Sequence, residues 1–124
     1  MRQIKFRGFD DENKTWRYGH FFETVEGIRR CYNIVENRDT KYYCNPNSIG
    51  QFTGLADKNG VDIYEGDLLD YGHNRKLEVI FYRGRFSVKY LESGQIDDVW
   101  LRLEHFNVIG NIHQSQEVLN LKFA

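Results

Sequence analysis

A chain of 124 residues, 40% apolar and 28% charged, is long enough to bury a core without staples and too apolar to stay disordered. Its formal net charge of −1 provides no overall basic field to draw it to nucleic acid or to an anionic membrane. Nine Phe, eight Tyr and two Trp are an unusual aromatic share, which favours strands and fills a small core efficiently.

No apolar run is long enough to span a bilayer, and residues 1–5 lack the apolar stretch of a signal peptide. The expected location is therefore cytoplasmic. Cys31 and Cys44 are too few and too far apart for a zinc or redox motif. In a reducing compartment they read as free thiols, with a disulfide as the other option.

Residues 3–9 alternate, with Ile4 and Phe6 on one face and Lys5 and Arg7 on the other, the period of a half-buried strand. A polar cluster at 10–14 marks a turn, and Trp16, Tyr18, Phe21 and Phe22 resume the pattern, so residues 3–22 read as a hairpin. Further strands are expected over 28–36 and, more weakly, 41–44. Asn45-Pro46-Asn47-Ser48 is a turn.

Asp57-Lys58-Asn59-Gly60 has tight-turn chemistry, because Asp can bond its own backbone and Asn-Gly tolerates positive φ. It closes a short hairpin between 52–55 and 61–64. Gly50, Gly54, Gly60 and Gly66 lie four to six residues apart, which suits a chain that bends repeatedly. No Gly-Lys-Ser/Thr and no helical pattern follow, so this is not a nucleotide cradle.

A strand is expected over 68–71. Strands 76–83 and 85–91 flank the Arg83-Gly84 turn, with Leu77, Val79 and Phe81 alternating on one and Phe86, Val88 and Tyr90 on the other. Residues 95–106 fit a helical spacing through Ile96, Val99, Leu103 and Phe106, and a strand through Val99, Leu101 and Leu103. The strand over 100–103 is preferred. Residues 108–112 form a last strand, and Ser115 caps a short C-terminal helix carrying Val118 and Leu119.

The expected fold class is mostly β in one domain over 1–124. An N-terminal hairpin region covers 1–65, a small five-stranded barrel of the Src-homology type covers 66–113, and a C-terminal tail with the short helix covers 114–124.

Three segments carry a family resemblance: Gln51-Phe52-Thr53-Gly54-Leu55, Asp57-Lys58-Asn59-Gly60, and Ile63-Tyr64-Glu65-Gly66-Asp67. Together they resemble the signature of the YopX family, small proteins of bacteriophages and prophages. Ile4-Lys5-Phe6-Arg7 with Asp10 is similar to that family's start, and Val108-Ile109-Gly110-Asn111-Ile112 to its closing strand. The family usually continues with an Asn-Pro-Glu helix start; here Ser115-Gln116-Glu117 keeps a capping residue and loses the proline. The resemblance implies a phage or prophage origin and a mostly β fold. It implies no catalytic residues, because the family has no established activity to carry over. Gln51, Gly54, Asp57, Gly60, Glu65, Gly66 and Asp67 are accordingly expected to be structural.

Four groupings are candidates for chemistry or contact. Arg75, Lys76, Arg83, Arg85 and Lys89, against Glu78 alone, interleave with Tyr82, Phe86 and Tyr90, the mixture with which small barrels bind single strands. The plainer reading is a solvated face and a core face, and the binding candidates are Arg83, Arg85, Lys89 and Tyr90. Asp57, Asp62, Glu65, Asp67 and Asp70 match no calcium-loop order; capping at Asp57 and structural hydrogen bonding at Asp67 are expected instead. His20, His73, His105 and His113 are scattered, without metal-ligand spacing. The many aromatics leave an apolar interface and a homo-oligomer open.

The expected function is that of a non-enzymatic interaction module without cofactor, its partner a macromolecule, protein rather than nucleic acid. The alternatives are a nucleic-acid-binding barrel and an enzyme with a carboxylate or metal site near Asp67.

Overall fold

Strands dominate because aromatic and β-branched residues recur along this chain at a period of two. A computed structural model describes residues 3–37, 40–98 and 100–113. Two compact units result, Met1–Phe52 and Thr53–Ala124. Strands β1 (Phe6–Asp10), β2 (Thr15–Glu26), β3 (Arg29–Asn37) and β4 (Thr40–Tyr43) lie in the first, and β5 (Gly50–Ala56) begins there. The second holds β6 (Asp62–Tyr64), β7 (Asp67–Asp70), β8 (Lys76–Tyr82), β9 (Arg85–Tyr90), β10 (Ile96–Asp97) and β11 (Asn107–Asn111). Among the described residues these make two antiparallel sheets, ordered β4-β3-β2-β1-β5-β6 and β10-β9-β8-β7-β11.

In the first unit, β1 and β2 form the expected hairpin, in register from Phe6 opposite Gly19 to Asp10 opposite Thr15. From His20 onward β2 pairs with β3 instead. Gly19 sits at this change of partner, where a Cβ would collide with the carbonyl of Val35, so only glycine fits. Ile34 is fully buried, and packing of the Phe21 ring on Phe6 and Tyr32 extends the core around it. The 45–48 turn is a single 3₁₀ segment, Pro46–Ser48, whose Asn45 side chain accepts from the Asn47 N–H.

The expected facing of the first strand is corrected. Ile4 is 60% exposed and Arg7 only 6%. Arg7 lies over the Trp16 ring at 4.7 Å, so its long stem and delocalised charge pack against indole rather than reaching water.

The first unit is tied together by Asp10. One carboxylate oxygen accepts from the Glu12 and Asn13 N–H groups, closing the β1–β2 turn. The other accepts from Asn13 Nδ2 and from Arg17 Nε at 3.1 Å. Arg17 in turn covers the Tyr42 ring at 3.6 Å and approaches Glu36 at 3.7 Å. Turn, β2 and β4 therefore share one charge network.

In the second unit, Ile63, Leu69, Leu77, Val79, Val88 and Leu103 form the core, with Leu55, Tyr71, Tyr90, Phe106 and Val108 packed on it. The β8–β9 hairpin stands as expected, and Arg83 and Gly84 both take positive φ (52° and 84°), the type I′ geometry that matches strand twist.

Two expectations fail here. The five-stranded sheet is open: β10 and β11 are its edges, so the Src-homology-type barrel does not form. Strand β10 has only two residues, and the chain after it winds into a 3₁₀ segment, Trp100–His105, where a strand over 100–103 was expected. The three-residue step from Leu103 to Phe106 explains the winding, since it places both on one side of a 3₁₀ turn, and both pack on the core. The helix expected from Ser115 lies outside the described residues.

Burial pushes the Asp10 carboxyl up, but hydrogen bonds from Asn13 and the Arg17 guanidinium outweigh it and hold the pKa below the usual 3.8. A folded pKa below the unfolded one gives stability that is full above 3.8 and lost as pH falls through the folded value. Replacing Asp10 by Ala should cost about 2–4 kcal/mol in denaturant unfolding at neutral pH and flatten the acid limb of the stability curve.

Candidate functional site

The Asp57–Gly60 turn is built as the sequence suggests, and it reaches further. The Gly60 N–H donates to Asp57 O and the Asp57 N–H to Val61 O, with Gly60 at φ 83°, a type I turn followed by a left-handed residue. Asp57 Oδ1 accepts from the Asn59 and Val61 N–H groups at 2.8 and 2.9 Å. Asp57 Oδ2 accepts from the Val108 N–H at 2.9 Å, across 51 positions of sequence. Asn59 Nδ2 donates to Asn107 Oδ1 at 2.8 Å beside it. One carboxylate therefore closes the hairpin and fixes the start of β11. Burial acts to raise its pKa, but the three backbone donors, Val108 foremost, bring it below the usual carboxylate value.

The remaining motif residues are also structural in placement. Asp67 is buried, and its Oδ2 accepts from the Tyr64 N–H at 2.7 Å. Gly66, at φ 93°, donates its N–H to Val79 O and accepts from the Ile112 N–H. Gly54 takes φ 87°, and Gln51 pairs with Phe6 in the sheet. Glu65 occupies the turn between β6 and β7. Asp62 and Asp70 lie on separate strands, with Asp70 opposite Lys76. Among the described residues no group of three or more His, Cys, Asp or Glu is gathered as a metal site would require.

The basic hairpin is divided by its own fold. Lys76 is buried and donates to Asn74 O, and Arg75 lies over the Tyr71 ring at 4.6 Å. Arg85 pairs with Asp98 at 2.6 Å, and Lys89 stands opposite Glu78. Arg83 lies over Tyr82 at the turn. Tyr90 turns to the core side, its ring 5.4 Å from Tyr71 and its hydroxyl 3.5 Å from Asp97 Oδ2. Burial, then the Asp97 charge, pushes that hydroxyl's pKa up. Arg83 and Arg85 are brought to the hairpin tip; Lys89 and Tyr90 lie further back, on alternate faces.

Aromatic rings share the tip with these arginines. Phe81 stands opposite Phe86 at 5.2 Å, edge to face, and remains 50% exposed; Tyr82 is 40% exposed. Alternation alone assigns both Phe rings to the core face. The signal against that assignment is their position next to the turn, beyond the reach of the core under Val79 and Val88.

A second surface lies in the first unit, a groove of about 450 Å³ whose lining includes Asp11, Glu26, Arg29, Tyr32 and Pro46. Residues 23–47 carry no recognisable motif, so nothing in the sequence points to it. Cys31 and Cys44 both line it and both are free thiols. Cys44 pairs opposite Tyr32, one step out of register with Cys31. Burial, reinforced by Asp10, pushes the Cys44 thiol up to about 11.

Fold and site define a class: a small, two-sheet antiparallel β protein organised by a carboxylate-capped turn. No helix among the described residues is long and apolar enough to cross a membrane. The chain belongs to the YopX family, whose model, described as YopX protein, matches residues 5–120. Among solved structures it is similar to protein EF1440 from Enterococcus faecalis, at 28% identity and a TM-score of 0.54. That alignment covers 96% of this chain and 99% of the other. A search of curated proteins gave no match.

Replacing Asp57 by Ala leaves three backbone donors without their acceptor. The expected loss is about 3 kcal/mol of stability, with faster amide exchange at Val108 in native conditions. Unchanged exchange at Val108 would show that the turn does not hold β11.

Proposed function

We propose that this chain is a non-enzymatic interaction module of a bacteriophage or prophage, working in the bacterial cytoplasm and binding a protein partner through the β8–β9 tip. The observation that carries the proposal is the exposed Phe81 ring, set edge to face on the half-buried Phe86, beside exposed Tyr82, Arg83 and Arg85. Exposed aromatic rings with arginine are the residue types that dominate protein–protein contacts. Buried carboxylates at Asp57 and Asp67 accept backbone N–H groups, which supports the non-enzymatic part of the reading. A nucleic-acid reading through Arg83, Arg85 and Lys89 is less favoured, because Arg85 is paired with Asp98 and Lys89 faces Glu78.

The test is affinity capture from phage-infected host cells, with and without nuclease, using the wild type and Phe81→Ser. A captured protein should survive nuclease, and Phe81→Ser, at an exposed position, should weaken its binding by about tenfold or more without altering the fold. Capture that disappears with nuclease, or that Phe81→Ser leaves intact, contradicts the proposal.

A further inference from the structure

We propose that β4 is a dimer contact, through which two copies of this chain pair antiparallel about a twofold axis at Tyr42. Register decides which backbone groups point outward. Asn33, Ile34 and Val35 stand opposite Tyr43, Tyr42 and Lys41, and the Cys44 N–H donates to Tyr32 O at 2.8 Å. An antiparallel ladder alternates between hydrogen-bonded and non-bonded pairs. Tyr42 therefore exchanges its bonds with Ile34, and the N–H and C=O groups of Lys41 and Tyr43 point away from β3. Among the described residues β4 ends its sheet, so those four groups face an open edge.

Among the described residues the other terminal strands are shorter or partly capped. Strand β6 has three residues and β10 has two. In β11, Asp57 takes the Val108 N–H and Asn59 takes the Asn107 side chain. Short strands and capped donors are the usual means of keeping an edge from pairing. Among the described residues no such cap covers the middle of β4.

The edge is also complementary to itself. A twofold axis at Tyr42 sets Lys41 opposite the partner's Tyr43 and Tyr43 opposite the partner's Lys41. Both residues offer outward groups, so the two pairs supply four backbone hydrogen bonds. Within one protomer Lys41 Nζ already lies 5.4 Å from the Tyr43 ring and 3.9 Å from Glu26, while the Tyr43 hydroxyl donates to Glu26 at 2.9 Å. Across the axis the same ammonium, ring and carboxylate meet again, with no like charges opposed. A register that sets Lys41 opposite itself places two ammonium groups together and is repelled. Lys41 thus guards the edge against other pairings while fitting this one. An isologous contact of this kind closes after two copies.

The experiment is the mass of the full chain in solution, measured across a wide concentration range together with amide exchange. The wild type should reach twice the monomer mass, and exchange at the Lys41 and Tyr43 amides should slow as the dimer fills. Tyr43→Pro removes an N–H that β3 does not use and so should keep the fold while halving the mass. Lys41→Glu, which sets a second carboxylate beside Glu26, should also yield a folded monomer and serves where the proline variant fails to fold. A monomeric wild type at every concentration, including one that assembles only with another protein's peptide, overturns the proposal. So does a dimer that persists in Lys41→Glu with fast exchange at the amides of residues 41 and 43.

Discussion

A buried carboxylate holding backbone N–H groups is the interaction on which each unit depends. In the second unit Asp57 accepts from Asn59, Val61 and Val108. The first two bonds close a turn, and the third fixes where β11 begins and so how it lies along β7. In the first unit Asp10 does the same for the β1–β2 turn and adds Arg17, whose guanidinium reaches Tyr42 on β4. Such charge-assisted bonds are about twice as strong as neutral ones, and leaving buried donors unmet is costly. These carboxylates therefore act as ties in sheets that no disulfide supports.

The same ties shape the available surface. Asp57 and Asp67 are both committed to backbone N–H groups. With Arg85 paired to Asp98 and Lys76 buried, two of the five basic residues of that stretch are already engaged within the fold. Among the side chains left outward are aromatic ones: Phe81 and Tyr82 at one hairpin tip, Tyr43 at a sheet edge.

Period-two alternation makes β8 and β9 legible in the sequence and locates β1 without its true facing, and turn chemistry makes the roles of Asp57 and Gly60 legible. Long-range consequences are not legible there. Nothing local to Asp57 indicates a donor 51 positions away, and nothing local to 108–112 indicates pairing with β7 rather than closure of a barrel. Arg7 reads as solvated because its partner, Trp16, lies across a hairpin. Residues 100–106 satisfy two periods at once, and the core contact of Leu103 and Phe106 decides between them. Phe81 and Phe86 follow the core pattern past the point where the core ends.

The most distinctive carboxylate of the chain is thus a structural one. The most direct test of that role is a carboxyl-carbon NMR titration of Asp57. Three backbone donors require a midpoint below the usual 3.8, in one step that accompanies loss of the Val108 amide's protection. A midpoint raised toward neutrality, as a general acid needs, with the Val108 amide unaffected, would contradict it.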